Sequence, residues 1–156
     1  ELLPVVEEGN KLQGIISRQD VLQALQMIQR QPQVGETIDD IVTNQFMTPK
    51  EAKNEHLYQF SVTPQMTNSI GTLSYGVFAT IVTEATNRVI RAQKKSDLIV
   101  ENLTIYFVKP VQIDNVVSVH PKVLEIGRKF GKVDVEVHHE GNVVGKALLM
   151  VQLIDK

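Results

Sequence analysis

Cysteine is absent from the 156-residue chain, and its absence excludes several kinds of chemistry at once. Without cysteine there are no disulfides, no thiolate metal ligands and no cysteine nucleophile. The absence fits a reducing compartment, and a cytoplasmic location is the expectation. Long apolar runs are also missing, since no stretch approaches the roughly 20 residues that a membrane-spanning helix needs. No charged-then-apolar signal segment opens the chain, so we expect no membrane partner.

A large excess of one sign of charge is also missing. The chain has 16 basic and 18 acidic residues, which gives a formal net charge of −2. We therefore expect no nucleic-acid partner for this fragment, because no excess of positive charge draws it to a polyanion. Hydrophobic residues make up 42% and charged residues 22%, as in an ordinary globular protein. Because the chain begins at Glu1, without Met and already inside an apolar strand pattern, we expect a piece of a longer protein.

The first part of the chain follows the pattern strand, turn, strand, helix. "LPVV" and "LQGII" are short apolar runs on either side of the turn "EEGNK", and "SRQDVLQALQMIQR" has the apolar spacing of a helix. A stretch with Pro32, Gly35 and Pro49 follows, and we interpret it as a linker with one helical turn around residues 38–42. The predicted organisation is a partial domain at residues 1–30, a linker at 31–55 and a second domain at 56–156.

The second domain combines one long helix with several long strands. Apolar residues at helical spacing predict a helix over residues 72–92 that is largely covered by a sheet. The later segments alternate apolar and polar residues, which is typical of strands with one buried face, and a hairpin is predicted to turn at Glu140-Gly141-Asn142. This order favours an α+β fold in which an antiparallel sheet wraps around one central helix. Gly76 lowers helix propensity by roughly 1 kcal/mol, so we expect another backbone to pass close to it.

Residues 57–154 resemble the hotdog fold, the superfamily of acyl-CoA thioesterases, dehydratases and acyl-CoA-sensing domains. The resemblance is carried by "NSIGTLSYGVFATIV", "IYFVKPVQIDNVVSV" and "KALLMVQLI", in which Asn68, Gly71, Gly76 and Lys109-Pro110-Val111 fill the family's pattern. It implies a CoA thioester as ligand or substrate and no required cofactor. It also implies a homodimer or a higher homo-oligomer, because pockets of this family lie between subunits.

The front part resembles the second half of a CBS domain, through "GIISRQD" at residues 14–20. In that family the hydroxyl and the Asp hold a nucleotide ribose. The resemblance therefore implies nucleotide contacts at Ser17 and Asp20, with an adenine nucleotide at complete CBS units of the parent protein. The residues alone also support a helix-capping pair, and the two interpretations are compatible. The combined order resembles bacterial proteins that place CBS sensing units ahead of a hotdog domain.

Candidate ligand-binding residues surround the start of the long helix. A thioester carbonyl is polarised by fixed donors, and backbone amides at a helix N-terminus supply such donors. The resemblance assigns ligand contacts to Asn68, Gly71, Thr72, Tyr75, Gly76 and Thr83. A loop in which Asn and Gly only shape the turn before the helix is the alternative interpretation.

Hydrolysis would also need a base or a nucleophile beside the helix. In thioesterases with this type of helix start, an acid follows about seven residues, or two helical turns, after the second Gly. That place falls on Thr83, and Glu84 stands one residue later. Ser74 and Tyr75 stand where His and Gly are usual. Because one residue rotates a helical side chain by about 100°, we expect Glu84 to leave the pocket face as an edge residue.

The sequence leaves three functions open. The first is an acyl-CoA-binding regulatory module coupled to CBS nucleotide sensing. The second is an acyl-CoA thioesterase that uses Glu84 or a water oriented by Asn68. The third is a domain that only dimerises the protein.

No metal site is expected from the sequence. His138 and His139 are consecutive in a predicted strand, so their side chains point to opposite faces, and His120 precedes Pro121 at a predicted bend or edge. No cluster has the spacing of metal ligands. Four basic residues are candidates for binding CoA phosphates at the pocket mouth or for an ordinary solvated surface. They are Lys94, Lys95, Arg128 and Lys129.

Overall fold

The computed structural model describes residues 2–6, 12–30, 36–49 and 57–154. The chain divides into two compact units, Glu1–Thr37 and Ile38–Lys156. The first unit contains β1 (Leu2–Val6), β2 (Leu12–Ser17) and α1 (Arg18–Arg30). The two strands pair antiparallel, as expected for two strands joined by a short turn. The turn predicted between them lies outside the described residues.

The second unit is built on one five-stranded sheet. Its elements are α2 (Ile38–Gln45), β3 (Tyr58–Ser61), a short 3₁₀ helix (Pro64–Met66), α3 (Tyr75–Gln93), β4 (Asp97–Phe107), β5 (Val116–Ile126), β6 (Phe130–His139) and β7 (Asn142–Ile154). All neighbouring strands are antiparallel, in the order β3-β5-β6-β7-β4, so β3 and β4 form the edges. The predicted α+β class with one long central helix is confirmed.

The core lies between α3 and one face of the sheet. Alternate residues of β6 point inward, and Val133, Val135 and Val137 are fully buried. Ile81 and Val82 of α3 are fully buried against them. Since side chains alternate across a strand, the polar residues between the valines are left on the outer face. The apolar alternation of the sequence therefore fixes which side of the sheet receives the helix.

The long helix begins later than the sequence predicts, at Tyr75 instead of Thr72. The backbone of Thr72 forms a bridge with Gln112, and the Leu73 N–H donates to the Val111 carbonyl at 2.7 Å. These two residues pair with the segment after β4, so they are not free to take helical hydrogen bonds. The helix can start only when that pairing ends.

Residues 38–45 form a helix that is longer than the single turn predicted there. Val42 of α2 is fully buried, and Phe46 after it is 8% exposed. The ring of Phe46 lies 5.6 Å from the rings of both Tyr58 and Phe60, measured between centroids. These contacts attach α2 to β3 beside the central helix.

A close approach to a glycine is expected at Gly76 but is found at Gly145. A Cβ added at Gly76 would have Ser74 Oγ, at 3.9 Å, as its nearest neighbour, so the expectation of a closely packed backbone there is wrong for the described part of the chain. The close approach occurs at Gly145 of β7. A Cβ there would lie 2.7 Å from Cε2 of Phe78 and closer still to Cζ. Gly145 therefore makes room for an aromatic ring of α3.

The hairpin between β6 and β7 turns where the sequence predicts. Glu140 and Gly141 link the strands with φ angles of 49° and 80°. Positive φ at both central residues is the signature of the tight turn that matches strand twist. Among the described helices, none is long and apolar enough to cross a membrane.

Candidate functional site

A slot of about 230 Å³ lies at the N-terminal end of α3. We use "the slot" for the space lined by Thr72, Leu73, Tyr75, Phe78, Phe107, Val108, Lys109, Pro110 and Val111. One wall is the loop and first turn of α3, and the other is the end of β4 with the segment that follows. The walls are fastened together by the Leu73 to Val111 hydrogen bond described above. The slot is therefore a pre-formed feature of the fold.

The first turn of α3, which contributes Tyr75 and Phe78 to the slot lining, has free amide donors. The N–H groups of Tyr75, Gly76 and Val77 precede the first helical hydrogen bond, which runs from the Phe78 N–H to the Ser74 carbonyl at 3.0 Å. Ser74, at the N-cap, makes no side-chain capping hydrogen bond to them. Because the helix dipole adds partial positive charge at this end, the site favours an electron-rich oxygen. A thioester carbonyl, or an oxyanion formed from it, is such an oxygen.

Asn68 shapes the loop that leads to the slot. Its Oδ1 accepts hydrogen bonds from the amides of Ile70 at 3.1 Å and Thr72 at 3.0 Å, and its Nδ2 donates to Thr72 Oγ1 at 2.7 Å. The Gly71 N–H donates to the Asn68 carbonyl at 3.0 Å, with Gly71 at a φ of 78° that suits glycine. Neither Asn68 nor Gly71 lines the slot. Both hold Thr72 in place at its wall.

Thr83 and Glu84 lie two turns further along α3, away from the slot. They line a separate depression together with Asp39, Thr43, Thr80 and Asn87. The Thr83 hydroxyl donates to the Ala79 carbonyl at 2.8 Å, so its proton is used within the helix. The Asn68 loop and these two side chains are not brought together within one chain.

Glu84 forms an ion pair with Arg88, one helical turn later, at 2.9 Å between Oε1 and Nε. The Arg88 guanidinium carbon lies 4.9 Å from the Phe46 ring centroid and 5.6 Å from that of Tyr58. The Glu84 and Arg88 side chains are 22% and 32% exposed, respectively. Burial raises the pKa of Tyr58, opposed by the positive charge of Arg88 and reinforced by the negative charge of Glu84. Glu84 thus faces α2 and β3.

Residues 70–146 match the family model described as the thioesterase superfamily. The matched segment contains the first turn of α3, both walls of the slot and most of the sheet. This part of the chain is therefore similar to the thioesterase superfamily. We call the second unit the hotdog domain, for its antiparallel sheet around one long helix.

Solved structures of low sequence identity share the fold of the hotdog domain. A hypothetical thioesterase from Streptococcus pneumoniae TIGR4, solved with coenzyme A, is 18% identical and aligns over 62% of this chain and 78% of its own, with a TM-score of 0.59. The Streptococcus mutans UA159 protein smu.793, bound to acetyl CoA, is 18% identical over 64% of this chain and 81% of its own, with a TM-score of 0.60.

A close relative extends beyond this chain. The uncharacterized protein YtoI of Bacillus subtilis (strain 168) is 56% identical over 157 residues, which cover 100% of this chain. The chain spans only 36% of that protein's length. Most of that longer protein therefore has no counterpart in this chain.

The hotdog domain contains an aromatic cluster that the sequence does not predict. The Tyr75 and Phe107 rings lie 4.7 Å apart, and the Phe78 and Phe107 rings 5.3 Å apart, measured between centroids. Tyr75 and Phe78 are three residues apart on a helix, a spacing that could have indicated a shared face. Phe107 comes from strand β4, and nothing in the sequence predicts its contact with these two rings. Lys109 belongs to the Lys109-Pro110-Val111 motif, but the sequence does not indicate that it lines the slot.

The basic candidates lie at the other end of α3 from the slot. Lys94 Nζ donates to the Gly127 carbonyl, which places Lys94 beside the turn that carries Arg128 and Lys129. A helix of 19 residues is about 28 Å long. Within one chain, this group is therefore distant from the slot.

His120 and His138 form a pair on the sheet. The rings of His120 and His138 lie 4.5 Å apart, and His138 Nε2 is 3.4 Å from Glu136 Oε2. His120 lies inside β5, opposite Glu136, and not at a bend. Burial and then the neighbouring His138 lower the pKa of His120. The part of the chain that the structure describes contains no group of three or more His, Asp or Glu side chains that could hold a metal ion.

Ser17 and Asp20 of the first unit form a reciprocal capping pair at the start of α1. The Asp20 N–H donates to Ser17 Oγ at 3.1 Å, and the Ser17 N–H and hydroxyl both donate to Asp20 Oδ2 at 2.8 Å. The hydrogen bond from the Ser17 amide, followed by that from its hydroxyl, lowers the pKa of the Asp20 carboxyl. The capping interpretation accounts for both residues, which remain exposed enough to meet a ligand.

Proposed function

We propose that the hotdog domain binds a CoA thioester in the slot and serves as a ligand-sensing module that does not hydrolyse it. The observation that carries this proposal is the charge of the lining. The slot is lined by Tyr75, the first residue of α3, while its described lining includes Lys109 but no Asp, Glu or His. Such a site can polarise and hold a thioester carbonyl, but it lacks a side chain that could take a proton from water.

The ligand would lie with its carbonyl oxygen toward the helix amides. Asn68, Gly71 and Thr72 would fix the loop, and Tyr75 and Gly76 would contact the thioester. Lys109 would add a positive charge at the opposite wall, where a CoA phosphate could pair with it. The coenzyme A in the pneumococcal structure and the acetyl CoA in the Streptococcus mutans structure support this class of ligand. A CoA thioester as ligand also supports a cytoplasmic location.

The proposal includes a homodimer or a higher homo-oligomer that pairs through β4. This edge strand has 11 residues, and Ile99, Leu103 and Phe107 on it are 50%, 37% and 49% exposed. An unpaired edge of this length invites pairing with another strand. Thr83 lies outside the slot of its own chain, so it would reach a ligand only from a second subunit.

A working acyl-CoA thioesterase is the second candidate, and the thioesterase-superfamily match favours it. The catalyst would be Glu84 or a water that Asn68 orients. Glu84 would have to leave Arg88 and serve the slot of another subunit. For Asn68, the second hydrogen of Nδ2 is the group that could hold a water, because Oδ1 already accepts two hydrogen bonds.

We further propose that the first unit is the C-terminal half of a CBS domain. The order of strand, strand and helix supports this, and so does the position of Ser17 and Asp20 at the start of α1. In a complete CBS pair these two side chains would hold the ribose of an adenine nucleotide. Nucleotide and acyl-CoA occupancy would then be coupled, and linkage requires each ligand to change the affinity of the other by the same factor.

Binding and turnover of the same acyl-CoAs separate the candidate functions. Calorimetry would measure dissociation constants, and thiol release would be followed over hours for the unaltered protein, Glu84→Ala and the matched control Glu140→Ala. A sensor binds without releasing thiol. Release that Glu84→Ala abolishes and Glu140→Ala preserves would establish the enzyme instead. If no CoA ester raises the melting temperature, the domain only dimerises, because a ligand at 100 times its dissociation constant adds about 2.7 kcal/mol of stability.

A further inference from the structure

Phe78 closes the floor of the slot. Its side chain is 3% exposed, and its ring lies so close to Gly145 of β7 that a methyl group at that position would overlap the ring. Phe107 packs against the same ring at 5.3 Å between centroids. Between α3 and β7, the Phe78 ring therefore leaves no room for a side chain at position 145.

Below Phe78, the described inward-facing side chains of α3 and the adjoining strands are buried in the core. Val82, one turn further along α3, is fully buried, and Val135 and Ala147 of the adjoining strands are 0% and 1% exposed. The slot itself has a volume of about 230 Å³. A closed apolar cavity of about 150 Å³ is enough for a benzene ring, so the slot has room for a small group beside the thioester. A long alkyl chain would have to displace Phe78 or remain in water.

We infer that the slot selects CoA thioesters of short acyl groups, acetyl to butyryl, and that Phe78 on Gly145 is the residue that sets this limit. The inference rests on the proposed function and specifies its ligand. Binding should tighten with chain length only while added methylenes still enter the slot. Each methylene that becomes buried tightens binding about fourfold. A chain that reaches Phe78 gains nothing further.

The test is a series of dissociation constants for acetyl-, propionyl-, butyryl-, hexanoyl- and octanoyl-CoA. For the unaltered protein we expect affinity to rise up to butyryl-CoA and then change by less than about threefold up to octanoyl-CoA. Phe78→Ala should restore the dependence on length, so that octanoyl-CoA binds at least about tenfold tighter than butyryl-CoA. Phe46→Ala, which removes an equally large buried ring on the α2 side, should keep the plateau of the unaltered protein.

Truncating a buried ring lowers stability, so Phe78→Leu and Phe46→Leu provide a milder pair, and thermal unfolding checks that each variant is folded. A steady gain in affinity up to octanoyl-CoA in the unaltered protein would overturn the inference and leave the proposed function standing. A folded Phe78 variant that keeps the plateau would overturn the role of Phe78. Absence of binding for every member of the series would contradict the proposed function itself.

Discussion

The acid of α3, Glu84, stands one residue after Thr83, the position at which the family resemblance implies an acid. Both residues line the depression away from the slot, and Glu84 pairs with Arg88. Because consecutive helical side chains differ by about 100° in direction, this order could be interpreted from the sequence alone. The partner of Glu84 could not, since the stacking of Arg88 on Phe46 and Tyr58 depends on α2 and β3. The spacing along the helix predicts the direction of the Glu84 side chain, but only the fold shows which residues surround its partner Arg88.

Gly145 has a packing role that the sequence does not predict. Its role depends on Phe78, which is distant in sequence, so no local pattern indicates it. Gly145→Ala should lower the free energy of unfolding by about 1–3 kcal/mol, the usual cost of overpacking, because the new methyl group meets the ring of Phe78. Denaturant unfolding measures this change.

Two variants control that measurement. Gly127→Ala should be nearly neutral, since its Cβ would lie 3.7 Å from the Phe130 carbonyl oxygen, an ordinary contact. Combining Gly145→Ala with Phe78→Leu should recover part of the loss, because the smaller side chain can yield. Equal losses for Gly145→Ala with and without Phe78→Leu would show that the ring is not the cause.

At the scale of elements, the start of α1 shows how far a local motif can be predicted. The spacing of Ser17 and Asp20 predicts the capping pair, and the structure contains its hydrogen bonds. The start of α3 is predicted three residues too early, because the pairing of Thr72 and Leu73 with residues 111–112 comes from a distant segment. Elements defined by neighbours in sequence are thus predicted better than boundaries defined by tertiary pairing.

The capping pair makes a prediction about pH. The Asp20 carboxyl should titrate with a pKa below its ordinary value of 3.8, because the Ser17 amide and hydroxyl donate to the ionised form. A lowered pKa in the folded state means that this contribution to stability is present above the unfolded pKa. It is lost as pH falls through the folded pKa.

Carboxyl chemical shifts followed by NMR against pH measure this titration. In Ser17→Ala the midpoint should rise but stay below 3.8, since the hydroxyl is lost and the backbone amide, the larger cause, remains. A midpoint that does not move in Ser17→Ala would remove the hydroxyl from the explanation.

At the scale of the whole molecule, the class of fold follows from the sequence, while the slot does not. Alternating valines and one long apolar helix predict a sheet wrapped around a helix, and the strand pairing agrees. The slot needs two segments that are distant in the chain, the first turn of α3 and residues 107–111, to face each other. Only the family resemblance indicated a ligand near the first of them.

The exposed edge of β4 predicts association in solution. Light scattering after size exclusion should give at least twice the 17.5 kDa of one chain at micromolar concentration. Replacing Leu103 with Lys should weaken the association, since charged side chains on an edge strand oppose pairing. Gln65→Lys, at an exposed position of the short 3₁₀ helix, should leave the mass unchanged. A mass of 17.5 kDa for the unaltered protein would remove the proposed dimer.

The position of the bound thioester tests the account most directly, and amide chemical shifts recorded during a titration with propionyl-CoA would report it. We predict that the largest shifts occur at Tyr75, Gly76 and Val77 and across the opposite wall at residues 108–111, with little change at Glu84 and Arg88. Largest shifts around Glu84, or at the turn that carries Arg128 and Lys129, would contradict a thioester site at the start of α3.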